Sequence, residues 1–295
     1  MSTPWVEANA RRGEELEVCG HLFATGTPVV LWHDQQGYDA YRTTPFFPSE
    51  LGSRRVIHGR RYALRSGFAP TAHGPDTAGL KALRDHVDQM VIHFDVCGTS
   101  RQCFKVLHDI RKLSVHFMLD VDGTIYQSLD LRERAFHATV ANDRSIGIEI
   151  AHIGAYPNPK HRMLGTWYTA DASGPRVRFP KWMKTTGVRT ADFIARPARS
   201  ELVHGVIQGK ELWQYDFTAE QYRALGRLVR ALSEVFPKLR VDYPRDSSGA
   251  LVRHALSPDQ LAAHRGLLGH FHVQRNKTDP GPAFDWERLL REAGR

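Results

Sequence analysis

The chain has 295 residues, of which 41% are hydrophobic and 24% charged, and its formal net charge is +8. This composition is typical of a globular protein, and the length allows one large domain or two small ones. No run approaches the roughly 20 apolar residues of a membrane span. The three cysteines are too few for a disulfide scaffold.

The excess of positive charge is a general bias of the chain. A basic surface attracts polyanions such as nucleic acid, anionic lipid or anionic cell-wall polymer. The basic residues form no continuous tract, and no helix-turn-helix, zinc-finger or RNA-recognition signature is present. We therefore predict no nucleic-acid partner and no membrane span, and we assign no protein partner. Residues 1–17 contain no apolar h-region, which favours a cytoplasmic location and leaves action at the cell wall open.

The first 75 residues predict irregular structure with one short apolar run, Val29 to Trp32. Residues 45–76 are rich in Pro, Gly, Arg and His, which predicts a loop with at most a strand or two. Regular structure is expected to begin at Thr77, which can cap a helix. The apolar run from Met90 to Phe94 then predicts a buried strand.

The next segments alternate between helical and strand patterns. Ser100 opens a predicted helix, and Val115 to Val121 predicts a strand. Asp122-Gly123 is typical of a hairpin turn, after which residues 124–129 return as a strand. Ser145 to Ala151 predicts a further strand. This succession predicts an α/β fold with a central mixed β-sheet flanked by helices.

The second half of the chain begins with a break in this pattern. Residues 154–200 hold many prolines and few apolar runs, which predicts a long insertion, a surface loop near the site. Thr218 and Gln221 form a capping box before a helix with an apolar stripe, and another helix is expected from Ser257 to about Leu268. We therefore predict an N-terminal extension over residues 1–76 that packs on a domain over residues 77–295, with the insertion at about 154–200.

Three residues of these segments have the chemistry of metal ligands. His93 ends a strand that is predicted to be buried, where a lone histidine is more often a hydrogen-bonded core residue than a ligand. His270 and Asp279 lie nine residues apart in a segment that would by itself indicate a polar surface loop. Two imidazoles and one carboxylate suit a catalytic zinc, which keeps three protein ligands and one open position. Lys277 lies two residues before Asp279, on the same side of an extended segment.

An ordered set of short motifs makes the interpretation more specific. The set resembles the type 2 N-acetylmuramoyl-L-alanine amidase family, which includes phage amidases, cytoplasmic anhydro-muropeptide amidases and animal peptidoglycan recognition proteins. The resemblance covers about residues 80–155 and 200–290 and implies the fold of that family. The motifs are Val91-Ile92-His93, His116-Phe117, residues 122–127, His137-Ala138, residues 145–149, Gly269-His270 and residues 277–282.

The resemblance implies the ligands of a zinc ion. They are His93, His270 and Asp279, with His272 as a rival for His270. His270 is preferred because the ligand of the family commonly follows a glycine directly, as His270 follows Gly269. A carboxylate at the third position, where other members have a cysteine, is similar to the anhydro-muropeptide branch.

The resemblance also implies catalytic residues. Glu149 lies near the end of an apolar strand, where a carboxylate is costly unless it faces a polar cavity or a partner. Its alternatives are a buried salt bridge or, as the family implies, the general base that activates water. Lys277 would stabilise the oxyanion. His137 is predicted to bind substrate, with a structural role as its alternative.

The activity that the resemblance implies is zinc-dependent hydrolysis of the amide bond between N-acetylmuramic acid and L-alanine, in peptidoglycan or muropeptides. The alternatives are a peptidoglycan-binding module without catalysis and a zinc amidase for another amide. Val115 stands where some members have a tyrosine. The spacing of Cys97 and Cys103 is similar to that of a disulfide in the recognition proteins, whereas a cytosolic location would favour reduced thiols.

Overall fold

The computed structural model describes residues 5–6, 11–53, 58–69 and 74–295, with only the backbone of Trp5 and Val6. The predicted N-terminal extension is therefore described in part. The strands are β1 (Trp5–Val6), β2 (Glu15–Val18), β3 (His21–Ala24), β4 (Val29–Leu31), β5 (Tyr62–Leu64), β6 (Gln89–Phe94), β7 (Phe117–Leu119), β8 (Ile125–Gln127), β9 (Glu133–Ala135), β10 (Ser145–Ile150), β11 (Tyr168–Asp171), β12 (Gly174–Val177), β13 (Val203–Ile207), β14 (Lys210–Gln214) and β15 (Gly266–Gly269).

Helices are interspersed among the strands over the described ranges. Two of them begin with a cap one residue before the predicted start, at Asp76 and at Thr99. The helix predicted to start at Thr77 is capped by the Asp76 side chain, which accepts from the Gly79 amide at 2.8 Å. The helices are α1 (Thr77–His86), α2 (Ser100–Phe104), which continues as a π-helix over Lys105–Arg111, α3 (Arg162–Trp167), α4 (Ala219–Val235), α5 (Pro258–Ala263), α6 (His270–Val273) and α7 (Trp286–Glu292).

The central sheet has six strands in the order β15-β6-β10-β7-β8-β4. Strands β15, β6, β10 and β7 run parallel, β8 returns antiparallel to β7 through the Asp122-Gly123 turn, and β4 runs parallel to β8. Gly123 has φ +86°, a conformation that glycine adopts without steric cost. The predicted α/β fold with a central mixed sheet is confirmed.

Side chains of the central strands alternate between two faces of the sheet. Met90 and Ile92 of β6 belong to the main core, which α1, α4 and α7 cover. Val91 belongs to a separate cluster on the other side, and His93 shares the face of Val91 because strand side chains alternate. Glu149 pairs with His93 in the parallel register of β10 and β6, so its side chain lies on that same face.

Helix α4 supplies much of the main core. Thr218 accepts from the Gln221 amide, and Gln221 Oε1 accepts from the Thr218 amide, so the predicted capping box is present. Leu228, Val229 and Leu232 are fully buried, and each such side chain contributes about 1.5–3 kcal/mol through burial. The predicted apolar stripe of this helix is therefore core.

The helix predicted from Ser257 to about Leu268 is shorter than expected. Helix α5 ends at Ala263, and Gly266–Gly269 forms strand β15 beside β6. The apolar residues Leu267 and Leu268 fit either element by pattern. They form a strand because they pair with β6, in which the partner of each residue lies 177 positions earlier in the chain.

Two other regions contain more regular structure than the sequence predicts. Strand β4 of the predicted irregular N-terminal segment lies in the central sheet, and β1, β3 and β2 form a separate small sheet. The insertion over residues 154–200 holds α3 and the β11–β12 hairpin in addition to loops. Its apolar side chains pack in their own cluster around Leu164 and Trp167.

Local patterning missed these elements because they are short and depend on tertiary partners. The division into an extension and a domain stays a prediction.

Over the described part of the chain, every helix is too short or too polar to cross a bilayer.

Candidate metal site and cleft

The parallel strands bring the candidate residues to one edge of the sheet. His93 and Glu149 are direct neighbours in the register of β6 and β10. Gly269, the last residue of β15, pairs with Ile92, so His270 begins α6 beside His93. Ligands of α/β proteins commonly bind outside the carboxyl ends of parallel strands. The site lies at such an edge.

Three donor atoms converge there. His93 Nδ1 lies 2.9 Å from His270 Nδ1 and 3.0 Å from Asp279 Oδ2. His270 Nδ1 lies 2.9 Å from the same Asp279 Oδ2. All three residues are buried, and among the residues described they form the group that could hold a metal ion.

The other ring nitrogens of the two histidines have partners that favour metal binding. His270 Nε2 lies 2.6 Å from Gln274 Oε1, which can only accept, so the His270 proton is on Nε2 and Nδ1 carries a lone pair. His93 Nε2 lies 3.1 Å from His137 Nδ1, which can accept the His93 proton in the same way. Such outer partners commonly set the tautomer of a metal-binding histidine. The converging lone pairs and the carboxylate fit a cation, and two imidazoles with one carboxylate are the donor set of a catalytic zinc.

Burial sets the protonation states of this group. It lowers the pKa of His93 to about 4, and the neighbouring His270 acts in the same direction. For Asp279, burial raises the pKa, but His270 and His93 outweigh it and hold the pKa below its ordinary range. At neutral pH His93 is therefore neutral and Asp279 ionised, which are the states that metal ligands need.

His272, the rival of His270, lies outside the group. Its Nδ1 accepts from the Gly269 amide at 2.9 Å, and its Nε2 donates to the Val252 carbonyl at 2.7 Å. Both ring nitrogens are used by the backbone, so His272 anchors the chain around α6.

Glu149 faces a cleft of about 510 Å³ that also contains the metal-binding group. Its Oε2 atom is buried without a hydrogen-bond partner in the described structure. Burial, followed by the charges of Asp279 and Asp95, raises the pKa of Glu149 well above its ordinary value, while Lys277 and Arg111 act in the opposite direction. A carboxyl group with a raised pKa can exchange protons near neutral pH. Among the described residues Glu149 has no ion-pair partner, so the buried salt bridge considered for it is not seen there.

The lining of the cleft comes from two parts of the chain. Helix α2 and its π-helical continuation contribute Gln102, Leu107 and Arg111, and the insertion contributes Trp167 and Trp182. Lys277 lines the same cleft, close to the metal-binding group. The insertion therefore lies beside the site.

His137 is half-buried and lies between two protein partners. Its Nδ1 contacts His93, and its Nε2 lies 3.3 Å from Ser145 Oγ. A Cβ atom at Gly147 would lie 2.6 Å from His137 Nδ1, so glycine at this position makes room for the ring. His137 also lines the cleft, and its contact with substrate stays a prediction.

The two neighbouring cysteines, Cys97 and Cys103, are free thiols in this structure. Both line the cleft. Burial raises the pKa of Cys103 well above its ordinary value, which keeps that thiol protonated and unreactive.

Sequence reasoning missed several residues of the site. Gln274 could have been found from its position four residues after His270, on the same side of a helix. Arg111, Trp167 and Trp182 reach the cleft only through tertiary packing, and no local signal marks them.

Comparisons with known proteins extend this description. A family model described as N-acetylmuramoyl-L-alanine amidase matches residues 83–282, which confirms the resemblance inferred from the motifs. No curated protein matches the chain.

Several solved structures are similar to the chain at low identity. A selenomethionine derivative of AmpD is 17% identical with a TM-score of 0.36, over 82% of this chain and 95% of that one. AmiD from E. coli, in complex with anhydro-N-acetylmuramic acid-L-Ala-D-gamma-Glu-L-Lys, is 16% identical with a TM-score of 0.39, over 78% of this chain and 65% of that one. The endolysin LysCS from Clostridium intestinale URNW is 14% identical with a TM-score of 0.35, over 72% and 86%.

Proposed function

The chain belongs to the N-acetylmuramoyl-L-alanine amidase family, and on that premise we propose that it is a zinc-dependent enzyme that hydrolyses the amide bond between N-acetylmuramic acid and L-alanine in peptidoglycan or muropeptides. The observation that carries this proposal is the convergence of His93, His270 and Asp279, at 2.9–3.0 Å, in the same cleft as Glu149. His93, His270 and Asp279 would hold the zinc ion. When bound there, zinc would polarise the scissile carbonyl and lower the pKa of a water molecule.

Glu149 is proposed as the general base and acid. Its carboxylate accepts a proton from the water that attacks the amide carbonyl. The C–N bond then breaks, and Glu149 delivers the proton to the departing alanine nitrogen. Its buried Oε2 atom without a protein partner supports this role, because an acceptor in a cleft is available to a bound molecule. Lys277 contributes positive charge near the carbonyl oxygen as negative charge develops there.

His137 and Gln274 are proposed as positioning residues. His137 accepts the Nε2 proton of His93, and Gln274 accepts that of His270, so both rings present Nδ1 to the metal. In this arrangement His137 Nε2 donates to Ser145 Oγ. The substrate contact predicted for His137, which lines the cleft, would then be made by a part of the ring other than its two nitrogens.

The presence of every candidate ligand together with Glu149 and Lys277 favours catalysis over a binding module without activity. A zinc amidase for another amide shares this chemistry and differs only in the substrate that the walls accept.

The test is replacement of Glu149 by Gln, which keeps the size of the side chain and removes the base. We expect release of peptide from muropeptides to fall by about 10³-fold while zinc stays bound. Release from intact sacculi and from soluble anhydro-muropeptides is followed by mass spectrometry, with and without chelator, and zinc is measured by elemental analysis.

Glu211→Gln is the matched control, because Glu211 is an exposed glutamate on β14. It should keep full turnover. Wild-type turnover in the Glu149→Gln enzyme would remove Glu149 as the base, and zinc-loaded wild-type protein that releases no peptide would contradict the amidase proposal.

A further inference from the structure

Two apolar side chains are unusually exposed in the proposed catalytic cleft. In the described parts of the chain, Val96 is 52% exposed and Trp182 60% exposed, and both line this cleft. Exposed apolar groups that share one concave surface commonly mark a ligand-binding site. The lining of the cleft therefore includes an exposed apolar rim, formed by Val96 and Trp182.

Trp182 is held in place by a second tryptophan of the insertion. Its ring meets that of Trp167 edge to face, with centroids 6.4 Å apart. Trp167 is only 3% exposed and packs directly over Gly98, where a Cβ atom would lie 2.3 Å from the ring. The contact with Gly98 joins the insertion to the loop after β6. Trp182 is thus presented to solvent on a fixed support.

Val96 is exposed at a conformational cost. Its φ of +53° lies in the left-handed region, which is unfavourable for a β-branched residue and tends to persist at functional sites. The Asp95 carboxylate supports this turn, because its Oδ1 accepts from the amides of Cys97 at 2.8 Å and Gly98 at 2.9 Å. Val96 is therefore an apolar side chain at an exposed position of the rim, where a polar side chain would be better solvated.

Other residues that line the cleft have a different character. Arg111, at the end of the π-helix, is an exposed cation, and Lys277 adds a second positive charge that acts on His93. The proposed substrate has two unlike halves on either side of the scissile amide. Its peptide half carries carboxylates, whereas a pyranose ring carries no charge and has C–H faces that pack on aromatic rings.

We propose that the insertion forms a sugar-binding wall, on which the Trp182 ring stacks against the pyranose of the muramic acid half, with Val96 at its edge. The proposal rests on the proposed amidase function, which puts such a sugar next to the scissile bond. It assigns residues 154–200 the recognition of the glycan half. The cationic lining residues Arg111 and Lys277 are then left to the peptide.

The test compares two substrates with the same peptide. One is an anhydro-muropeptide, and the other is the corresponding N-lactoyl peptide, which keeps the scissile amide but lacks the sugar ring. We expect Trp182→Ala to raise KM for the muropeptide about tenfold, the effect of losing one aromatic contact, and to leave kcat/KM for the lactoyl peptide unchanged. Trp182→Phe should retain most of the affinity.

Ile194→Ala is the control, because Ile194 is an exposed apolar residue of the same insertion that does not line the cleft. If Trp182→Ala lowers kcat/KM equally for both substrates, or for neither, the proposed sugar-binding role of the insertion is overturned.

A binding measurement separates this inference from the amidase proposal. N-acetylmuramic acid alone is titrated by calorimetry into the Glu149→Gln protein with and without Trp182→Ala. Weaker binding of the sugar without Trp182 supports the sugar-binding proposal even if the wild-type enzyme cleaves neither substrate. If sugar binding does not depend on Trp182 in a protein that cleaves muropeptides, the sugar-binding proposal is refuted and the proposed amidase function stands.

Discussion

Two clusters of buried polar side chains lie side by side in this protein, and they are built differently. The metal cluster consists of His93, His270 and Asp279, and the arginine cluster consists of Arg65 and His116. The ring centroid of His116 lies 6.0 Å from that of His137, which in turn contacts His93. In the metal cluster, the ring nitrogens and the carboxylate oxygen point at one another.

In the arginine cluster, Arg65 Nη2 lies 3.2 Å from His116 Nε2, and the other partners of both side chains belong to the backbone. His116 Nδ1 accepts from the Gly147 amide at 3.0 Å, and Nε2 donates to the Glu133 carbonyl at 2.9 Å. Arg65 is 1% exposed, and its guanidinium donates, at 2.5–3.2 Å, to the carbonyls of Leu131, Asn142, Asp143 and Ser145.

Burial does not distinguish the two clusters. It lowers the pKa of His116 to about 3 and that of His93 to about 4. What differs is the kind of partner, because the polar atoms of the arginine cluster have backbone partners of the opposite kind, whereas acceptors meet acceptors in the metal cluster. Matched groups hold the fold together, and unmatched acceptors need a cation from outside the chain.

The sharpest way to break this comparison is to remove a ligand from the metal cluster. We expect Asp279→Ala to lose bound zinc and to reduce peptide release by at least ~10³-fold, since the proposed metal supplies several kcal/mol of transition-state stabilisation. The melting temperature of zinc-free protein should change little, because the hydrogen bond from the Phe271 amide uses the Asp279 backbone oxygen. Elemental analysis, peptide release and thermal unfolding measure the three effects. Full zinc content in the variant would exclude Asp279 as a ligand.

Removing Arg65 from the arginine cluster should have the opposite consequence. Arg65→Met leaves several buried carbonyls without donors, and we expect the free energy of unfolding to fall by about 3–5 kcal/mol. Zinc per folded molecule should stay unchanged. Urea denaturation with elemental analysis of the folded fraction tests this.

Arg178→Met is the matched control for Arg65, because the exposed Arg178 also donates to backbone carbonyls, those of Gly165 and Thr166. It should cost less than about 0.5 kcal/mol. Equal costs for the two arginines would mean that burial of the acceptors is not what matters.

A smaller effect concerns the histidines that bond to the backbone. Burial lowers the pKa of His116 and His272 to about 3 and that of His152 to about 4, from an ordinary 6.5. Because the unfolded chain binds these protons more readily, their contribution to stability is complete above pH 6.5 and is lost as the pH falls towards about 3 for His116 and His272 and about 4 for His152. In zinc-free protein, His272→Gln should reduce the loss of unfolding free energy between pH 7 and pH 5 by about 2 kcal/mol. Parallel pH curves for the two proteins would contradict a neutral, buried His272.

The sequence by itself determined the α/β fold class, the main strands and the residues His93, Glu149, His270 and Asp279 as candidates. These features are local, because strand alternation, helix caps and short motifs are written in neighbouring residues. The predicted capping box at Thr218 and the turn at Gly123 are of this kind. The family resemblance also favoured His270 over His272, because the ligand of the family commonly follows a glycine directly, as His270 follows Gly269.

Only the tertiary structure decided which polar atoms meet. It brings the His137 ring to the second nitrogen of His93, turns Gly266–Gly269 into a strand beside β6, and carries Trp182 of the insertion to the rim of the cleft. These contacts join residues 44 to 177 positions apart in the chain. Local patterns carry no information about such distant partners, because the partners are selected by sheet pairing and by packing in the folded chain.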